Sequence, residues 1–305
     1  MKKLNLILML AAGLTLPAVS AAAGQNQYPF KTPVIAQYFG IWTETDRGQT
    51  WEQKFRDDTP FEKLNRIYIA FGKIVKTEDG HFSIEYDGEV RNAQAVIDRV
   101  KAVNPSAEIF ISLGGDGRKD QFGGAANDPR FADNVRAFLE KYGLNGLDID
   151  WEMGLNREGL NSLVTSLSSS LHTAGYKVTL AGWPNSSYAY DMAVLKDKLD
   201  QINIMSYGRG TSLEYSVNQY VKSGFPADKL IGGIEVEVPY RQSGGTDSLG
   251  ADGTIAQKAN YALTHGLAGM MEWRLDNDYP DESNLNFPRY KGAILLWDIM
   301  AGQKK

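Results

Sequence analysis

The chain has 305 residues, no cysteine, three histidines and a formal charge of −5. Without cysteine there is no disulfide and no thiolate metal site. His81, His172 and His265 stand in no metal-ligand spacing, which argues against a zinc centre and against Ser-His-Asp catalysis. The acidic balance offers nucleic acid no basic stripe, and the length provides ample core for one large domain.

In chain order, Lys2 and Lys3, the mostly apolar run from Leu4 to Leu16 and the small residues Ala21-Ala22-Ala23 have the layout of a secretory signal. The apolar run is too short to span a membrane. We therefore expect residues 1–23 to be a cleaved leader and 24–305 one catalytic domain. The mature protein is expected to be secreted or periplasmic, monomeric and free of the membrane. Eight strand-like stretches follow, at Val34–Phe39, Ile67–Phe71, Glu108–Ser112, Leu144–Glu152, Val178–Ala181, Gln201–Tyr207, Leu230–Val236 and Leu267–Trp273. Several are near-continuous apolar runs, as parallel strands covered on both faces require.

Apolar residues at helical spacing predict helices over Glu89–Val103, Pro129–Tyr142, Glu158–Thr173, Leu213–Lys222, Ile255–His265 and Tyr290–Met300. Asp128 before Pro129 is a helix-start signal, and Gly143, Gly175, Gly224 and Gly266 stand where helices should stop. The segments after the first and fifth strands are less regular. Eight strand–helix alternations predict α/β architecture as a single (β/α)8 TIM barrel. A doubly wound open sheet would want a glycine-rich phosphate turn after the first strand, and Gly40-Ile41-Trp42 is not one. The connection between the seventh and eighth strands is short and partly helical. It leaves no room for a large insertion domain, so the groove should be open.

Such barrels carry function at the C-terminal ends of their strands. Glu152, Tyr207, Trp273 and the run Ser112-Leu113-Gly114-Gly115 fall at those ends, with Tyr38 and Phe71 near them. The central stretch is Leu144-Asn145-Gly146-Leu147-Asp148-Ile149-Asp150-Trp151-Glu152. Period-two alternation puts its three carboxylates on one face of a strand, roughly 6–7 Å apart. Like charges on one face push their pKa values apart, so at least one should hold a proton near neutral pH. A protonated carboxyl beside an ionised one is how general acid chemistry is arranged.

Four motifs, Ser112-Leu113-Gly114-Gly115, Gly146 to Glu152, Met205-Ser206-Tyr207 and Trp273-Arg274-Leu275-Asp276-Asn277-Asp278, occur in order on the right strands. Together they resemble the chitinases of glycoside hydrolase family 18, over the whole mature chain. The resemblance implies that Glu152 is the general acid, that Asp150 orients the substrate acetamide and that Asp148 shares a proton with Asp150. It implies that Tyr207 holds the acetamide oxygen and that Trp273 floors the cleavage point. Tyr38, Phe71, Met205, Trp183 and Asp276 complete the expected sugar-contacting set, while Ser112, Gly114, Gly115, Asn145 and Gly146 are expected to be structural. The substrate's own acetamide would be the nucleophile, with net retention and no metal or organic cofactor. The partner would be a polysaccharide or oligosaccharide containing N-acetylglucosamine.

There are two departures from the family pattern. The family usually has Asp at the positions of Asn145 and Gly208. Asn145 is still expected to hydrogen-bond Asp148, and fewer negative neighbours would let the pKa of Glu152 fall. Glu235, Glu237 or Glu272 could supply the missing charge. The same acidic motif would also serve an endo-β-N-acetylglucosaminidase acting on N-glycans or a peptidoglycan hydrolase. From another class, a catalytically silent carbohydrate-binding protein can use the same barrel, although such relatives have usually lost the acidic glutamate.

Overall fold

The computed structural model describes residues 33–43, 50–116, 119–185, 189–208, 210–236, 246–278 and 289–302. The expected leader at 1–23, and Glu237, lie outside the described residues. Among the described residues there are nine strands: β1 (Val34–Gly40), β2 (Arg66–Lys76), β3 (Phe82–Tyr86), β4 (Glu108–Gly114), β5 (Gly146–Asp150), β6 (Lys177–Gly182), β7 (Gln201–Ile204), β8 (Leu230–Glu235) and β9 (Gly269–Trp273). Eight of them pair in parallel in the order β1-β2-β4-β5-β6-β7-β8-β9, and β9 pairs with β1 to close the barrel. The expected single TIM barrel is therefore present. The long helices are α2 (Val90–Val103), α4 (Phe131–Tyr142), α5 (Arg157–Thr173), α7 (Leu213–Lys222), α8 (Thr254–Thr264) and α9 (Lys291–Met300). Short helices α1 (Trp51–Lys54), α3 (Lys119–Ala125) and α6 (Met192–Lys198) occupy less regular crossovers.

Strand alternation sorts the core into two layers. Ile67 and Ile69, Ile109 and Ile111, and Leu147 and Ile149 face outward into the layer beneath the helices. Tyr38, Tyr68, Phe110, Met205 and Met271 fill the barrel itself. Local signals set the helix ends as expected. The Asn156 side chain caps α5 by accepting from Gly159 N–H at 2.8 Å, and Ser212 caps α7 by accepting from Tyr215 N–H at 3.1 Å.

Three details differ from the sequence reading. β3 was not anticipated; Phe82, Ile84 and Tyr86 alternate, and the strand pairs antiparallel with the extension of β2 beyond Phe71. Helix α4 starts at Phe131, because Asp128 spends its oxygens on His81, Phe82 N–H and Arg130 N–H in the preceding turn. β7 stops at Ile204 and does not reach Tyr207. There the Ser206 hydroxyl takes over from the ladder, accepting from Gly233 N–H and donating to Gly233 C=O, both at 3.1 Å. Among the described residues, the β8–β9 connection holds α8 and no strand, so no insertion domain deepens this end of the barrel.

Glu272 of β9 faces outward, beside Gln37 of β1 and against Asp278, whose Oδ2 accepts from Ala293 N–H of α9 at 2.8 Å. Both acids are 0% exposed. Burial, then the Asp278 charge, pushes Glu272 well above its usual range, and burial pushes Asp278 up to about 8. Glu272 is thus a packing residue under α9 and does not substitute for a missing charge in the barrel mouth. Raised carboxyl pKa values mean that the folded state holds a proton the unfolded chain releases. The contribution is fully present below the usual values of 3.8 and 4.5 and is lost as pH rises toward about 8. We expect the unfolding free energy from urea titrations to fall between pH 5 and 8, by up to a few kcal/mol at about 1.4 kcal/mol per pKa unit. Glu272→Gln should flatten that slope; an unchanged slope would assign the titration to other carboxyls.

Candidate active site

The site is built around Asp148, which is 0% exposed inside the barrel. Its Oδ2 accepts from the Tyr38 hydroxyl of β1 at 2.9 Å and the Ser112 hydroxyl of β4 at 2.7 Å. Its Oδ1 accepts from the Thr179 hydroxyl of β6 at 2.6 Å and the Asn203 amide of β7 at 3.1 Å. Burial raises the Asp148 pKa and these donors oppose it. Thr179 and Asn203 were not singled out in the sequence. Each is a polar residue at an inward position of an otherwise apolar strand, and that pattern is the signal that could have found them. Four protein donors from four strands thus surround Asp148.

Asp150, one step up the same face, is 5% exposed, and its Oδ1 is buried without a partner. Burial and the charges of Glu152, Asp148 and Asp116 raise its pKa well above the usual range. Glu152 is half-buried at the strand's exit, and burial and Asp116 lift it to about 7. Desolvation dominates at Glu152, and Asp116, just past Gly115, supplies a like charge. Asp116 is a further member of the site that the sequence reading overlooked.

Gly114 allows β4 to approach β5. A Cβ there would lie 2.3 Å from the Asp150 carbonyl and against the Phe122 ring, and the residue has φ +115°. Gly115 follows and donates its N–H to the Asp150 carbonyl at 2.9 Å. Gly146 opens β5 against the Phe110 ring. Asn145 does not reach Asp148. It sits at the entry end of the strand, where its Oδ1 accepts from Ile109 N–H at 2.7 Å and aligns β4 with β5. Trp151 points outward, stacked on Phe122 at 4.9 Å, with its indole N–H donated to Met153 C=O.

Aromatic rings line the mouth. Tyr38 stacks on Tyr68 at 4.5 Å and meets Trp273 edge-on at 5.6 Å. Phe71 stacks on Trp273 at 5.6 Å and lies nearly parallel to Trp42, at 6.0 Å and 6°. Trp42 follows β1 and extends this aromatic face; the sequence reading used it only to reject a phosphate turn. The peptide bonds Ala70–Phe71 and Trp273–Arg274 are cis. Met205 lies in the inner cluster and Trp183, at the end of β6, is 38% exposed. Tyr207 packs in the mouth with its hydroxyl 4.0 Å from Met271 Sδ, and burial and the charge of Asp150 raise its pKa. Asp276, expected to touch sugar, is instead 1% exposed and fully engaged by the protein. It accepts from Gly40 N–H at 2.9 Å and from Arg274 Nε at 3.0 Å, and pairs with Lys54 at 3.3 Å. Arg274 and Lys54 in turn sit over the Trp42 ring at 4.4 and 4.6 Å. Asp276 therefore braces the aromatic face from behind.

The arrangement can do proton chemistry near neutral pH. It combines a carboxyl poised at about 7, a second carboxyl with one unpaired buried oxygen, a phenol and an aromatic platform.

A family model described as Glycosyl hydrolases family 18 matches residues 34–245. A class V chitinase of Lotus japonicus is 22% identical over 254 residues, covering 69% of this chain and 60% of that protein. Chitinase A1 of Niallia circulans is 29% identical over 135 residues, covering 36% of this chain and 19% of that protein. The chain thus spans under two thirds of the length of these curated relatives. Among solved structures, catalytic domain 2 of the Ostrinia furnacalis group II chitinase superposes with a TM-score of 0.69 at 18% identity, over 90% of this chain and 98% of that one.

Removing one donor should leave the central carboxylate short of a hydrogen bond in a buried place. Thr179→Val and Ser112→Ala are each expected to cost about 1–3 kcal/mol in chemical denaturation. A loss below about 0.5 kcal/mol for both would show that the hydrogen bonds around Asp148 are not what holds it.

Proposed function

The chain belongs to glycosyl hydrolase family 18, and from that premise we propose that it is an exported hydrolase of β-1,4 N-acetylglucosamine linkages in chitin or chito-oligosaccharides. The observation that carries the reading is Glu152, a half-buried carboxyl raised to about 7 at the exit of β5, above Asp150 and beside Tyr207. The relatives' names agree in chemistry, each being a chitinase. Glu152 protonates the glycosidic oxygen, and the bond to the anomeric carbon breaks as the substrate's acetamide oxygen attacks that carbon. Asp150 accepts the acetamide N–H with its free oxygen, and the Tyr207 hydroxyl donates to the acetamide oxygen. The Glu152 carboxylate then takes a proton from water as that water opens the oxazolinium ion, which returns the β-anomer. Holding a tethered acetamide in place exploits a large effective molarity, so no enzyme nucleophile is needed.

Trp273 floors the cleavage point, with Tyr38, Phe71 and Met205 around it and Trp183 on the far side of Glu152. Among the described residues the β8–β9 connection carries no insertion domain to deepen the groove, which suits internal cleavage. Residues 1–23 serve as the export signal. Asp148 acts as the hydrogen-bonded anchor beneath Asp150.

Glu152→Gln should lower hydrolysis of N-acetylchitohexaose at least about 100-fold while binding and folding persist; near-wild-type turnover would remove Glu152 from the acid's role. Because the acid works protonated, kcat/KM should decline as pH rises through about 7. Proton NMR of early product should show the β-anomer, mixed product lengths should appear from the start, and a glucose oligomer should be cut negligibly. Inversion would sink the acetamide mechanism. Preference for an N-glycoprotein or peptidoglycan would move the substrate, and binding without any cleavage would make the protein a lectin.

A further inference from the structure

The backbone that carries Tyr207 lies beyond the end of β7, where no strand ladder can fix it. Among the described residues its hydroxyl makes only a weak sulfur contact, so the direction of the ring depends on the main chain around it. Two residues far along the sequence grip that main chain. Asp247, in the β8–α8 connection, is 1% exposed, and Lys258 of α8 is 6% exposed. Lys258 Nζ pairs with Asp247 Oδ1 at 2.7 Å and also donates to the carbonyls of Ser206 and of Gly208, the latter at 3.1 Å. Asp247 Oδ2 accepts from Gly208 N–H and from Glu235 N–H of β8, both at 2.9 Å. The carbonyl before Tyr207 and both polar groups of the residue after it are therefore held by one buried ion pair. That residue has φ +70°, a conformation only glycine adopts without strain, so a carboxylate reaching this point comes more easily from elsewhere in the chain.

A buried ion pair is weak evidence for stability, because desolvation offsets most of its attraction. It is good at fixing geometry, since the ammonium donates to two carbonyls of this segment while Asp247 Oδ2 accepts from two backbone N–H groups. We propose that Asp247 and Lys258 are positioning residues that aim the Tyr207 hydroxyl at the bound acetamide by clamping residues 206–208 to β8 and α8. This rests on the role proposed above for Tyr207, and the first of two measurements is independent of that role.

Hydrogen exchange of the wild-type protein, without ligand, should find the Gly208 and Glu235 amides protected to the level of barrel-strand amides, and Asp247→Asn should expose the Gly208 amide. A fast-exchanging Gly208 amide in the wild type would overturn the clamp, whatever the protein cleaves. The second measurement is a cycle of Tyr207→Phe, Asp247→Asn and the double variant on N-acetylchitohexaose, with folding of each checked by circular dichroism. A displaced catalytic contact costs on the order of 10–100-fold, so Asp247→Asn should lower kcat by that factor and change KM by less than about threefold. In the Tyr207→Phe background the same substitution should add less than about twofold, because its target is gone. Multiplying losses would overturn the proposal and leave Asp247 as a general stabiliser. Should Asp247→Asn fail to fold, Lys258→Gln enters the cycle with the same expectations. A wild-type protein that cleaves nothing would refute the hydrolase reading, and the exchange result would still decide the clamp.

Discussion

A carboxylate with no exposed surface sits at the centre of this barrel, and the strands around it are arranged to make that tolerable. Burying an unpaired charge costs far more than a domain's net stability can absorb. Asp148 is kept by donors from four different strands, β1, β4, β6 and β7. Below it, Arg66 is 1% exposed, bonds to Tyr68 and Gln201 and pairs with Glu108. The barrel interior is therefore a polar lattice wrapped in aromatic rings. Because each donor has to come from the correct strand in the correct register, this lattice also specifies how the strands pair.

The three carboxylates of β5 have one spacing and three environments. Asp148 is saturated by donors, Asp150 is buried with a free oxygen, and Glu152 is half in solvent with Asp116 as a like-charged neighbour. Distance from the barrel centre thus converts a repeating side chain into a hydrogen-bonded anchor, a carboxyl whose pKa burial and like charges push well up, and a group that titrates near pH 7. The same logic separates the two acids of the eighth barrel strand and its exit loop. Glu272 faces outward under α9 and Asp276 locks the end of β1 through Gly40, so neither reaches the groove. Acidic residues close together in sequence part ways here because Glu272 belongs to the strand and Asp276 to the 3-10 turn that follows it.

Two carboxylates that the family pattern leads one to expect are missing from the chain positions of Asn145 and Gly208, and the fold treats the two absences differently. Asn145 ties β4 to β5 with its side-chain oxygen, a task that needs an acceptor and no charge. At Gly208 a carboxylate is present in space though absent in sequence, supplied by Asp247 and balanced by Lys258. Paired with its lysine, it brings geometry to the Tyr207 segment without adding net charge beside Glu152.

The sequence by itself determined the eight barrel strands, the six long helices, the closure into a barrel and the identity of the acidic strand. Those features rest on local rules: a period of two or 3.6, glycine stops and caps, and a continuous apolar run where both faces are covered. Asp148, Asp150 and Glu152 were legible because alternation alone lines them up toward one strand's end, and Tyr38, Phe71 and Trp273 because each falls near the C-terminal end of its own barrel strand. Only the tertiary structure decided what each acid does. Thr179, Asn203, Asp116, Trp42, Asp247 and Lys258 come from other strands and connections, and no local pattern ties them to the acidic strand. Their contribution is desolvation, opposing charge and hydrogen-bond geometry, and these exist only once the barrel has closed and brought the groups within a few ångströms of one another.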